Sequence, residues 1–160
     1  MPNRPDVTTK PTVQWQWQHF DVLTAREWHR LLQLRASVFV VEQDCPYSDP
    51  DHKDPKCWHL SGMLNNEVVA TLRSVPPGVS YAESSIGRVV VAPQARGLQL
   101  GRELMEIGIA FNRHMWGQAI RISGQSYLER FYQSLGFQTV SEPYMEDDIP
   151  HVEMLLEGGA

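Results

Sequence analysis

The segment Val89-Val90-Val91-Ala92-Pro93-Gln94-Ala95-Arg96-Gly97-Leu98-Gln99-Leu100-Gly101 constrains this chain more than any other. A β-branched apolar run that stops at Ala92-Pro93 reads as a buried strand. Leu100, Leu104, Ile107, Phe111 and Met115 follow at helical spacing, so the chain passes from strand to helix through one short loop. The first turn of such a helix carries N–H groups without helical partners and the positive end of its dipole. That makes an anion site, and Gly97 and Gly101 let backbone approach a bulky phosphate with no Cβ in the way. The Gly-Lys-Ser/Thr of a Walker loop and the G-x-G-x-x-G spacing of a dinucleotide fingerprint are both absent.

The flanking pattern alternates strands and helices. Val13 to Phe20 alternates apolar and polar residues, as a half-buried strand does. Thr24 to Glu27 fits a capping box, and Leu31, Leu34, Val38 and Val41 fall on one helical face behind it. Asp44 to Pro55 is dense in Asp and Pro and is expected to be an exposed loop. Trp58 to Leu64 and Glu67 to Val75 read as a hairpin, because the intervening Asn65-Asn66 tolerates positive φ. Ser85 to Val91 is a strand expected near the centre of a sheet. After the long helix, Ala119 to Ser123 is a strand and Gln125 to Leu135 a helix stopped by Gly136. Phe137 to Tyr144 and His151 to Leu156 complete the set. The order β-α-β-β-β-α-β-α-β-β predicts an α/β chain with a mixed sheet and helices on its faces.

Charge excludes some functions. With 14 Lys and Arg against 19 Asp and Glu, no clustered basic surface for nucleic acid is expected. No apolar run reaches the ~18 residues of a membrane span. Residues 1–13 are expected to be a flexible tail and 14–158 a single domain, in a reducing cytoplasm where Cys45 and Cys57 stay free. Cys45, His52, Cys57 and His59 cluster, but their spacing matches no compact zinc knuckle, and no metal is expected.

These motifs resemble those of the GCN5-related N-acetyltransferase (GNAT) superfamily. Its cofactor motif, Gln/Arg-x-x-Gly-x-Gly/Ala after a strand, matches at Arg96 and Gly101, while Gln99 stands where the first motif glycine is usual. The segment from Gln125 to Phe137 is similar to the superfamily's Asn-x-x-Ala-x-x-Phe-Tyr-x-x-x-Gly-Phe signature, with Gln125 and Leu128 in place of Asn and Ala and the tyrosine at Tyr132. More closely, Val38 to Gln43, Cys45-Pro46-Tyr47, Ile86 to Val90, Phe131 to Ser134 and Glu146 to His151 resemble the ElaA-like family, over about Trp15 to Leu156.

The resemblance implies a GNAT fold with a central sheet of about 6–7 strands. It implies acetyl-CoA as co-substrate and transfer of the acetyl group to a primary amine, on a small molecule or a protein, by direct attack in a ternary complex. The alternative is a non-catalytic acyl-CoA sensor. By position, Val89, Val90 and Val91 would pair their backbone with pantetheine, and Arg96, Gly97, Leu98, Gln99, Leu100 and Gly101 would cradle the pyrophosphate. Gln125 and Tyr132 would also touch the cofactor, with Tyr132 as the acid that protonates the leaving thiolate. An amine must be neutral to attack, so a base is required. Glu83, at the start of the strand leading to the loop, and Glu42, at the end of an apolar helix run, are the candidates. Glu42, His59, Arg88 and His151 are expected to line the acceptor pocket, with Arg88 needing a carboxylate such as Glu42 or Glu83 if buried. Unpaired strand edges would also allow a homodimer.

Overall fold

The computed structural model describes residues 12–117 and 119–158. Most of the segment expected to be a tail, residues 1–11, lies outside them. Among the described residues, eight strands and three α-helices follow in the order β1 (Gln14–His19), α1 (Ala25–Ala36), β2 (Trp58–Leu64), β3 (Glu67–Val75), β4 (Ser85–Val91), α2 (Leu100–Trp116), β5 (Ile120–Gln125), α3 (Glu129–Ser134), β6 (Gln138–Thr139), β7 (Tyr144–Glu146) and β8 (Ile149–Leu156). The expected single strand over Phe137 to Tyr144 is split into β6 and β7, each of which pairs with β8.

Local chemistry sets several boundaries. Thr24 and Glu27 form the reciprocal capping box of α1. Asn65 and Asn66, at φ 51° and 64°, close the β2–β3 hairpin. The expected helical face fails at one point. After α1 the chain widens into a π-helical stretch, Ser37–Glu42, in which Gln43 N–H bonds the Val38 carbonyl. The wider turn rotates the side chains, so Val38 and Phe39 are buried while Val41 is 75% exposed. In α2 the buried stripe runs through Leu100, Leu104, Met105, Gly108, Ile109 and Asn112, and Met115 lies outside it.

The expected mixed sheet with helices on its faces is present, built from two antiparallel sheets, β1-β2-β3-β4 and β5-β8-β6 with β7 on β8. They join at one end of β4, where Ser84 and Ile120 form a parallel bridge and Arg121 N–H donates to the Ser84 carbonyl. Buried Asn112 of α2 pins this junction. Its Nδ2 donates to Ser84 Oγ and the Ser85 carbonyl, and its Oδ1 accepts from Ser74 Oγ of β3. Beyond the junction β4 has no ladder partner on its β5 side among the described residues, and a cleft opens. Leu72, Ile86, Leu104, Met105, Ile122, Tyr132, Phe137 and Met154 form the core that α2 and α3 cover.

The Asp44 to Pro55 loop is not the exposed segment its composition suggests. Asp49 and Asp54 are buried against Arg35 of α1, Arg73 of β3 and Arg88 of β4. Asp51 completes three acids against three guanidinium groups. Burial alone would raise the Asp54 and Asp51 carboxyls. Hydrogen bonds and charge from Arg35 and Arg73 at Asp54, and from Arg73 and Arg88 at Asp51, hold both well below the usual carboxylate range.

His59 was expected in the acceptor pocket and is found in this core. It is 2% exposed, and its Nε2–H donates to the Asp54 carbonyl at 3.0 Å. Burial pushes its pKa down to about 4. The folded ring therefore stays neutral down to that pH, whereas in the unfolded chain it protonates below about 6.5. Unfolding takes up a proton in between, so stability falls as pH drops from about 6.5 to about 4, by on the order of 3 kcal/mol. Denaturant melts across that range read the slope. His59→Gln should flatten it, and a flat wild-type curve would contradict the assignment.

Candidate active site

The cleft between β4 and β5 encloses a cavity of about 600 Å³. Two irregularities shape it. In the β3–β4 ladder, Thr71 pairs with Val90 and Arg73 with Gly87, so Arg88 and Val89 together oppose Leu72. This bulge puts Arg88 at φ 50° and takes backbone out of the ladder where β4 borders the cleft. The Arg88 side chain is tied down outside the ladder. Its Nε lies 2.8 Å from Asp49 Oδ1, and its guanidinium lies over the Tyr47 ring.

The second irregularity is the turn into α2. Arg96 is extended, Gly97 has φ 88° and Gln99 has φ 59°. Gln99 is the N-cap residue, and no side chain caps the helix. The usual motif glycine is thus replaced at a left-handed position, which costs a non-glycine residue about 1–2 kcal/mol. Gln99→Gly is expected to raise stability by about 1 kcal/mol, read as a higher thermal midpoint. A lowered midpoint would show that the glutamine side chain stabilises the loop.

Alternation in β5 gives the cleft two walls of different character. Ile122 and Gly124, with Val152 and Met154 of β8, face the helices. Gly124 is where Tyr132 of α3 comes closest, since a Cβ there would sit 3.0 Å from the ring. Tyr132 is buried, and its hydroxyl makes no hydrogen bond among the described residues. Burial first, and the neighbouring Tyr127 second, push its pKa up to about 12. Ser123 and Gln125, with His151 across the ladder from Gln125, face the other way. Tyr144 stacks on His151, and its hydroxyl bonds Ser123 Oγ. Tyr81 joins them, its phenol raised to about 12 mainly by burial and then by Tyr144, Glu153 and Glu146. Two contacts strap the cleft mouth. Gln43 and Gln125 bond reciprocally at 3.3 Å, and Cys45 Sγ donates to the Asp147 carbonyl.

The structure gathers Glu42, Arg88, Val89, Val90, Val91, Arg96, Gly101, Gln125, Tyr132 and His151 around the cleft. Gly97, Leu98, Gln99 and Leu100 shape the loop but do not line the cavity. Glu83 does not line it either. Arg121 holds its carboxylate at 2.8 and 3.1 Å and keeps its pKa below the ordinary value. Glu42 does face the cleft, but Arg96 binds it with two hydrogen bonds, at 2.5 and 2.8 Å, and lowers its pKa. Each carboxylate is thus paired with an arginine. Arg88 takes its carboxylates from Asp49 and Asp51, not from Glu42 or Glu83. Tyr81, Ser123 and Tyr144 were missed. The alternation of Ile120 to Gln125 marks Ser123 as a residue facing away from the core, whereas Tyr81 lies in an irregular loop with no such signal. Among the described residues no three His, Cys, Asp or Glu side chains gather to hold a metal, and no helix is long and apolar enough to cross a membrane.

Comparison with known proteins places this geometry. The family model for the Acetyltransferase (GNAT) domain matches residues 68–157. The chain is 39% identical over 148 residues to the protein ElaA of Escherichia coli, covering 91% of this chain and 97% of that one. The crystal structure of Escherichia coli ElaA superposes with a TM-score of 0.86, at 38% identity over 91% of this chain and all of the other. That of an acyl-CoA N-acyltransferase from Pseudomonas aeruginosa also gives 0.86, at 39% identity over 90% of this chain and 99% of the other. With the splayed β4–β5 cleft, the bulge in β4 and the open helix start in one frame, the chain belongs to the GNAT acetyltransferase superfamily and, within it, to the ElaA-like family.

Proposed function

We propose that the protein transfers an acetyl group from acetyl-CoA to a primary amine by direct attack, with the two substrates meeting in the β4–β5 gap. The observation that carries this reading is the two-sided cleft. An uncapped helix start and Tyr132 stand on the helix side, and Ser123, Gln125 and His151 on the opposite side. The chain's groups fit acetyl-CoA. The free N–H groups at the start of α2 suit a pyrophosphate. Gly101 lines the adjoining cavity, and a Cβ there would come no closer than 4.0 Å to Phe131 and Val91. The β4 edge from Ile86 to Val91 would pair with the amide groups of pantetheine, and an N–H at the bulge would polarise the thioester carbonyl. Tyr132 holds its proton at neutral pH and would give it to the departing sulfur.

Glu42 then serves as a tether for Arg96, not as a base. Cys45 and Cys57 are not nucleophiles in this scheme. Cys57 is buried, which pushes its thiol up to about 11. Burial first, then Asp147, Asp148 and Asp44, raises Cys45. Initial rates measured by CoA-thiol release against both substrates should give intersecting reciprocal plots. Intact-mass spectra taken during turnover should show no acetylated enzyme. Parallel plots with a cysteine-bound acetyl group that turns over would replace direct attack by an acyl-enzyme.

A further inference from the structure

The acetyl-transfer reading leaves the proton of the acceptor ammonium without a destination, since Glu83 and Glu42 are both held by arginines. On the acceptor side of the cleft one group has the geometry to take it. His151 of β8 lines the cavity with a side chain only 9% exposed. Its Nδ1 lies 2.7 Å from the Ile149 carbonyl. A carbonyl can only accept, so Nδ1 carries the hydrogen and the lone pair of the neutral ring is on Nε2. Nε2 in turn lies 3.2 Å from Glu146 Oε2 of β7, a half-exposed carboxylate that also lines the cavity. A ring that gains a proton at Nε2 thus finds an anion already beside it. Tyr144 stacks against the imidazole and is anchored through Ser123, so the ring is held in place.

We infer that His151 is the general base that deprotonates the acceptor amine, with Glu146 as the partner that stabilises the resulting imidazolium. The inference rests on the acetyl-transfer reading and adds to it a catalytic residue. The acceptor enters as R–NH3+ and gives one proton to Nε2 of His151. The neutral nitrogen forms the C–N bond as the C–S bond breaks. The second proton leaves the nitrogen for solvent as the amide forms, while Tyr132 protonates the sulfur and then recovers one proton from solvent. The net reaction releases CoA thiol, the N-acetyl amine and one proton to solvent from His151. Tyr144 and Glu146 of β7 lie against the ring, and Gln125 of β5 is its ladder partner; Ser123 of β5 and Glu153 of β8 share that sheet face, and Tyr81 of the loop before β4 stands near Tyr144, Glu146 and Glu153.

The test uses ethylamine and its 2-fluoro, 2,2-difluoro and 2,2,2-trifluoro derivatives, whose basicity falls stepwise at nearly constant size. At neutral pH, His151→Gln should lower kcat/KM on ethylamine at least ~100-fold, and progressively less along the series, because the last member is already neutral. Glu146→Gln should show the same trend with a smaller loss. Unchanged CoA affinity in each variant checks the fold. Nitrogen-15 spectra of the wild type should show the Nδ1–H tautomer of His151. An equal loss on all four amines would make His151 structural, and full retention or an Nε2–H tautomer would likewise overturn the assignment. Wild type that binds CoA but acetylates none of these or other amines would overturn the transfer reading itself and this inference with it.

Discussion

Replacing Tyr132 by Phe is expected to lower kcat by roughly 100- to 1000-fold while leaving CoA affinity unchanged. The ring fills the same space against Gly124, Phe131 and Phe137, so the packing of α3 on β5 survives. Only the hydroxyl is lost, and it has no hydrogen bond among the described residues whose removal would cost stability. The pH dependence separates the acid role from a packing role. An acid must be protonated to act, and burial raises this phenol to about 12. The wild-type rate should therefore show no falling limb due to Tyr132 up to about pH 10, where an ordinary tyrosine would be half ionised. A Tyr132→Phe variant with wild-type kcat would remove the residue from the chemistry.

Asp54→Asn is expected to be strongly destabilising, although it keeps the shape of the side chain. Asp54 is 2% exposed, bonds Arg35 at 2.9 and 3.2 Å and Arg73 at 2.8 Å, and accepts from the Asp51 backbone N–H. Removing its charge leaves three buried or half-buried guanidinium groups facing two carboxylates. Breaking a buried pair in this way costs about 3–5 kcal/mol, which lowers the thermal midpoint by roughly 10 °C in a chain of this size. Lys53→Ala, which leaves all three acids in place, is the control. The loss has a route to function. Asp49 and Asp51, which the network holds, also hold Arg88 at the β4 bulge, so a loosened loop should loosen the cleft wall. A stability loss under about 1 kcal/mol would show that the network is solvated in solution.

Much of the helix side of the cleft was legible in the order of residues. A valine strand, a glycine-bearing turn and an amphipathic helix must lie next to one another, and each is dictated by neighbours in sequence. The Asn65-Asn66 hairpin and the Thr24–Glu27 capping box were equally local. Four features were not, each for a physical reason. In Val38-Phe39-Val40-Val41 every side chain is apolar, so sequence alone could not show which two a π-helical stretch would bury. Asp49 and Asp54 look like solvent residues until Arg35, Arg73 and Arg88 arrive from three separate elements to neutralise them. Glu83 sits at the expected end of β4, but its partner Arg121 lies 38 residues away on β5 and takes the carboxylate out of the cleft. Similarly, His59 and His151 are both strand histidines near the chain's acidic segments. Only the fold sends one into the core and the other to the cavity.

Product stoichiometry tests most directly whether this cleft joins the acetyl group of acetyl-CoA to an amine. Purified protein is incubated with acetyl-CoA and a panel of small amines, polyamines and lysine peptides, and CoA thiol and N-acetyl product are quantified by mass spectrometry. At least one amine is expected for which thiol and N-acetyl product rise together, one for one, at a rate that Tyr132→Phe lowers by roughly 100- to 1000-fold. Tight binding of acetyl-CoA with no product on any amine would contradict acetyl transfer, and would make the protein an acyl-CoA sensor that keeps the superfamily's fold.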